Sequence, residues 1–134
     1  MTPDAPSTPA TPRSGARWLR VVTLLLAGEK VVQHVAVTVA FLFDIGGIRA
    51  RVALDYRLFM VVGAVSAVLF ALGGWALARR KPWAVRLIVA LALVDIVGEF
   101  AAQGALMIVI NVSILVALAL LVLAPLSLRR AETR

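Results

Sequence analysis

Four long apolar segments alternate with short polar ones along the chain. They cover residues 17–43, 58–78, 83–102 and 105–123. Each approaches or exceeds the roughly 20 apolar residues that a helix needs to cross the hydrocarbon core of a bilayer. The pattern therefore predicts an all-α, polytopic membrane protein with four transmembrane helices in a compact bundle. This membrane domain is expected to occupy residues 17–128, which leaves no room for a separate soluble domain.

Helix-breaking and charged residues mark the boundaries between these segments. A basic stretch at 79–82 separates the second from the third, and its proline suits the first turn of a helix. Gly104 alone separates the third from the fourth, which predicts a tight helical hairpin, and Pro125 is expected to end the last helix. In the loop at 44–57, apolar and polar residues alternate as in a strand. An interfacial segment packed over the bundle is an equally good interpretation of that loop.

The two ends of the chain differ in composition from the apolar segments. Residues 1–16 carry four prolines among Ser, Thr and Ala, which predicts a disordered cytoplasmic tail, and residues 129–134 form a short basic tail. The arginines before residue 21 could instead open a signal peptide with its apolar region at 21–28. Cleavage near Gly28 would leave an apolar remainder too short to span a membrane, so a first transmembrane helix is the preferred interpretation.

Composition supports the membrane class and excludes several others. The chain is 62% hydrophobic and 16% charged, whereas a soluble domain is typically about 25% charged. The net charge of +7 comes from basic residues at segment ends, so binding to nucleic acid is not expected. The absence of cysteine excludes disulfides and thiolate metal ligands.

The distribution of basic residues predicts the orientation. With four spans, both termini share a side with the loop at 79–86, and that side carries ten basic residues against three on the other. The ten are Arg13, Arg17, Arg20, Arg79, Arg80, Lys81, Arg86, Arg129, Arg130 and Arg134; the three are Arg49, Arg51 and Arg57. By the positive-inside rule, both termini are cytoplasmic, in a membrane of the bacterial inner or plasma type.

Ionisable residues deep inside the first and third segments are the strongest functional signal. Each costs about 2.5–3.5 kcal/mol to place at the centre of a bilayer, so a cluster of them requires a reason. At 100° per residue, the polar residues of each segment share one side of their helix. The candidate proton- or cation-binding residues are Glu29, Lys30, Gln33, His34, Asp95, Glu99 and Gln103.

Depth suggests how the two polar faces meet. At about 1.5 Å per residue from the cytoplasmic ends of their helices, Glu29 and Asp95 both lie roughly 18 Å into the membrane. If the two helices are neighbours, Glu29 and Lys30 face Asp95 in one layer. Gln33 and His34 then face Glu99 in a second layer, nearer the outer side.

Three interpretations of this cluster remain open. It could be a buried packing network, a proton or cation pathway, or a metal site. The metal ligands would be His34, Glu29, Asp95 and Glu99. Ser66 and Ser113 lie in no recognisable nucleophile motif, so neither catalysis nor a cofactor is expected.

Small residues indicate where helices approach closely. Gly63, Ala67 and Ala71 recur at four-residue spacing, which is typical of close helix contacts within one chain or between two copies. We therefore expect the partners to be the lipid bilayer and a second copy or a larger membrane complex. The expected function is proton or cation handling in transport. The alternative is a non-catalytic structural or accessory subunit whose cluster is a packing network.

Overall fold

The computed structural model describes residues 13–103 and 112–132, and within those ranges its secondary structure consists of helices joined by turns, with no strand. The helices are α1 (Arg13–Phe43), a 3₁₀ segment (Ile45–Arg51), α2 (Tyr56–Ala78), α3 (Trp83–Gln103) and α4 (Val112–Glu132). The all-α prediction is confirmed. The proline-rich stretch at 1–12, the proposed hairpin at Gly104 and the first part of the predicted fourth span lie outside the described residues.

The helix boundaries differ from the prediction mainly at the start of α1 and at the end of α4. The helix α1 begins at Arg13, four residues before the predicted span, so the backbone of 13–16 is helical. The boundaries of α2 and α3 lie within two residues of those predicted.

Pro125 lies inside α4, and the helix continues to Glu132, so the prediction that this proline ends the helix is wrong. Proline removes one backbone N–H and crowds the preceding turn, but a helix held by its neighbours can continue through it. Leu120 and Ala124 on the same stretch are fully buried, and the hydroxyl of Ser127 donates to the carbonyl of Ala124 at 2.7 Å. Packing and this side-chain bond support the turn around the proline.

The four long helices close into a ring. Helix α1 packs against α2 and α4, and α3 packs against the same two helices. Helices α1 and α3 therefore lie on a diagonal of the bundle rather than side by side.

The apolar core fills the end of the bundle where α2 ends and α3 begins. Its fully buried side chains come from the second half of α2, the first half of α3 and the middle of α4. They include Phe70, Ala76, Ala84, Ile88 and Leu120.

Glycines let α2 approach its neighbours closely. A Cβ atom added at Gly63 would lie 2.7 Å from the Oγ1 atom of Thr38, and one at Gly73 would lie 3.0 Å from a side-chain carbon of Ile88. Gly63 and Ala67 are buried in the bundle as the small-residue pattern predicts, whereas Ala71 is exposed.

Two of the described helical segments, Arg17–Phe43 and Tyr56–Ala78, are long and apolar enough to cross a membrane. Only 17% and 28% of their most apolar stretches are buried, unlike a helix in the core of a soluble protein. Within α4, the apolar stretch Val112–Ser127 is shorter. Helix α3 is long enough, but any 18-residue stretch of it contains Arg86, Asp95 and Glu99.

The segment between α1 and α2 is a 3₁₀ turn packed on the bundle, so the strand-like interpretation is wrong. Asp44, Gly46 and Gly47 adopt left-handed backbone angles, with φ of 51°, 67° and 68°, which no strand accommodates. The amide of Ala53 donates to the carbonyl of Ala102 at 3.3 Å, which ties this segment to the end of α3.

Candidate functional site

Lys30 occupies the centre of the bundle and is fully buried. Its ammonium nitrogen lies 2.5 Å from Oδ2 of Asp95, and it donates to Oε1 of Gln33 at 2.9 Å. It also contacts Ser113 through the carbonyl oxygen at 2.7 Å and the hydroxyl oxygen at 2.8 Å. One lysine thus joins α1, α3 and α4.

This environment explains how a lysine can lie in the core. Taking an ammonium group out of water costs several kcal/mol, and an opposite charge with further oxygen acceptors offsets that cost. An ammonium group has three protons to donate, and the surrounding oxygens are enough to accept all of them. Lys30 is therefore a satisfied buried cation.

Asp95 connects Lys30 to His34. Its Oδ1 atom lies 3.3 Å from Nε2 of His34, while Oδ2 faces the lysine, and the aspartate side chain is only 8% exposed. The imidazole of His34 stacks on the ring of Phe70 with centroids 5.6 Å apart. Phe70 belongs to the apolar core, so the histidine lies at the boundary between that core and the polar cluster.

The predicted layers are only partly reproduced. Lys30 and Asp95 meet as the depth argument requires, and His34, which was assigned to the second layer, also contacts Asp95. The reason is the diagonal placement of α1 and α3, which lets side chains meet across the centre instead of along a shared face.

Glu29 lies apart from the lysine cluster. Consecutive residues point about 100° apart around a helix, so the side chain of Glu29 leaves the helix in a different direction from that of Lys30. Its side chain is partly buried, and its Oε2 atom has no hydrogen-bond partner among the described residues. The structure therefore separates Glu29 from the residues with which the sequence grouped it.

A half-open cavity of about 240 Å³ lies beside the cluster. It is formed by α1, α2, α3 and the segment between α1 and α2, on the side of the bundle away from the chain termini. Its polar lining consists of Gln33, His34, Ser66, Asp95 and Glu99, and its walls include Val37, Phe41, Ile48, Val52, Phe59, Val62 and Val94. Asp95 thus belongs to the buried ion pair and also lines an accessible space. His34, which contacts Asp95, lines the same space.

Two further residues complete the comparison with the sequence. Ser113 accepts hydrogen bonds from Lys30, a role not predicted from the sequence, although it is the one polar residue in the apolar stretch 112–126 of α4. Gln103 ends α3, and its side chain lies outside the described part of the structure.

A metal site receives no support from the described residues. Among them, no group of three or more His, Asp or Glu side chains is placed to hold a metal ion. Glu29, one of the four suggested ligands, is not among the cavity-lining residues that include His34, Asp95 and Glu99.

No protein family, no curated protein and no solved structure matches this chain. The class of protein must therefore be inferred from the geometry of the bundle and of the cavity.

Proposed function

We propose that the chain is a four-span integral membrane protein that binds a proton or a cation for transport at His34, Asp95 and Glu99. Large apolar side chains exposed on all four helices support the membrane placement, among them Leu25, Val68, Val97 and Val122. Soluble monomers rarely expose contiguous apolar surface beyond a few hundred Å².

Helix α3 fits a membrane span because two of its charges turn inward. Asp95 and Glu99 line the cavity within the bundle, and Arg86 lies in the first turn of the helix, where an arginine reaches the membrane surface. The outward positions Leu93 and Val97 are apolar and exposed. Together with the distribution of basic residues, this supports four spans with both termini cytoplasmic.

The observation that carries the transport proposal is the position of the cavity. It reaches the acid–histidine cluster from the loop side, whereas the space beyond the cluster is filled by the apolar core. This arrangement fits a half-channel, in which an ion enters from one side and stops at the centre. Intramembrane ionisable residues next to such a space commonly mark ion or proton pathways.

The shared carboxylate of Asp95 suggests how binding could change the bundle. Oδ2 holds Lys30, and Oδ1 faces His34 beside the cavity. A cation at Oδ1, or a proton on His34, competes electrostatically with Lys30 for the same carboxylate. Binding at the cavity would thus loosen the contact that joins α1, α3 and α4.

The test is flux through purified protein in liposomes. Wild-type protein should carry protons, sodium or potassium down an imposed gradient, and Asp95→Asn should abolish that flux. Glu29→Gln is the matched control, because it makes the same chemical change outside the cluster and should leave most of the flux intact. Wild-type liposomes that are no more permeable than protein-free ones would refute transport.

A structural or accessory subunit is the second candidate, and the complete coordination of Lys30 favours it. A satisfied ion pair can specify how helices pair without any transported ligand. In that case wild-type protein shows no flux, and single substitutions at Lys30 or Asp95 prevent assembly with a second copy or a larger membrane complex.

A further inference from the structure

The cavity is amphipathic along its length. Its polar groups gather beside the ion pair, where Gln33, His34 and the two carboxylates lie, and the remaining walls are mostly aliphatic and aromatic. Phe41 and Phe59 stack with ring centroids 6.0 Å apart and form part of these walls. A ligand that matches this cavity has one polar end and an apolar body.

The volume exceeds what an inorganic ion needs. A cavity of about 150 Å³ is enough to bind benzene, and this one measures about 240 Å³. A bare metal cation gains nothing from apolar walls, because it seeks several oxygen ligands at once. The space therefore suits an organic molecule with a single small ring or a short chain.

The charges select the sign of the polar end. Asp95 and Glu99 line the cavity, and no lysine or arginine is among its described lining residues. The ammonium group of Lys30 is already held by Asp95 and Ser113. Arg49 lies near the outer end, but its guanidinium donates to the carbonyls of Phe41 and Leu42. A cationic end is favoured over an anionic one.

We infer that the cavity binds a small hydrophobic amine, with the ammonium end at Asp95 and Glu99 and the apolar body against Phe41 and Phe59. This inference rests on the proposed function and specifies the class of cation that the site takes.

Three probes of matched size test the inference by titration calorimetry on the purified, full-length protein. Phenethylammonium carries the expected charge, 2-phenylethanol is neutral, and 3-phenylpropanoate is anionic. We expect the ammonium compound to bind at least tenfold more tightly than the alcohol, and the carboxylate to show no binding.

A pair of glycine substitutions provides the structural control. Gly98 lines the cavity, Gly28 does not, and an added Cβ atom at either position meets nothing within 4 Å. Gly98→Leu should fill the cavity and weaken binding of phenethylammonium at least tenfold, whereas Gly28→Leu should leave the affinity unchanged. Glu99→Gln, which keeps the side-chain shape, should weaken binding of the amine but not of the alcohol.

The outcomes separate this inference from the proposed function. Equal affinity for all three probes would identify an apolar space that lipid chains can fill and would overturn the amine assignment, as would equal effects of the two leucine variants. Proton flux in liposomes without amine binding refutes only this inference. Amine binding without any flux refutes transport but leaves the amine as the ligand of the cavity.

Discussion

Lys30 Nζ and Asp95 Oδ2 lie 2.5 Å apart, although their helices α1 and α3 lie on a diagonal of the four-helix ring. The pair therefore crosses the core and joins the two helices that pack least directly. Ser113 brings α4 into the same contact. One buried charge and the oxygens around it thus connect three of the four helices.

We predict that Lys30→Met strongly destabilises the bundle. The substitution leaves Asp95 buried without its counter-charge, and breaking a buried pair in this way costs about 3–5 kcal/mol. The double variant Lys30→Met/Asp95→Leu should recover most of this loss, because no charge then remains unpaired. Reversible unfolding in mixed detergent micelles gives the free energy of unfolding of each variant.

The comparison between the single and double variants decides the role of the pair. If Lys30→Met is as stable as wild type, the ion pair contributes nothing to the fold. If the double variant is no more stable than the single one, the loss comes from the lysine's contacts with Gln33 and Ser113 rather than from the unpaired aspartate.

The contact between Gly63 and Thr38 predicts a steric coupling between α1 and α2. A methyl group at Gly63 would lie 2.7 Å from Oγ1 of Thr38, so Gly63→Ala should destabilise the bundle by about 1–3 kcal/mol through overpacking. Thr38→Ala should restore stability in the double variant, since that hydroxyl has no hydrogen-bond partner among the described residues. Gly28→Ala is the control and should be neutral or stabilising, because open space surrounds that glycine. If the effects of Gly63→Ala and Thr38→Ala on the free energy of unfolding simply add in the double variant, the predicted contact is contradicted.

Parts of this site could be predicted from the sequence because they depend on helix geometry alone. The rise per residue placed Lys30 and Asp95 at one depth, and the two residues do meet. The sequence could not show that α1 and α3 are diagonal, since that depends on how all four helices pack. For that reason the contact between His34 and Asp95 and the separation of Glu29 were not foreseen.

Local backbone conformation explains the remaining differences from the prediction. Alternating apolar and polar residues at 44–57 left a strand and a packed interfacial segment equally open, and consecutive left-handed glycines and the arginine bonds to the end of α1 produce a 3₁₀ turn. Pro125 was expected to stop α4, but packing from neighbouring helices carries the helix past it. The glycines therefore decide the turn locally, whereas at Pro125 tertiary contacts outweigh the local sequence signal.

Arg49 is predicted to hold the segment between α1 and α2 against the bundle. Its Nε atom donates to the carbonyl of Phe41 at 2.8 Å and its Nη2 atom to that of Leu42 at 2.7 Å, and its guanidinium lies 4.6 Å from the ring centroid of Tyr56. Arg49→Met should therefore speed hydrogen exchange of the amides at 45–53 at least tenfold. Arg51→Met removes the same charge from an exposed position and should leave the exchange unchanged. Equal exchange in the two variants would show that Arg49 does not hold the segment.

The natural absence of cysteine allows a direct test of the four-span topology. We predict that Arg51→Cys reacts with a membrane-impermeant maleimide on intact cells, because the proposed topology places residue 51 on the outer side. Lys81→Cys, Ser7→Cys and Thr133→Cys should react only after the membrane is opened, because four spans place both termini and the loop at 79–86 on the cytoplasmic side. Ala117→Cys is the control for buried positions and should stay unlabelled in both conditions, since that side chain is fully buried.

Labelling of residues 51 and 81 from the same side would refute the span at α2. Labelling of residues 81 and 133 from opposite sides would show that α3 and α4 do not both cross the membrane.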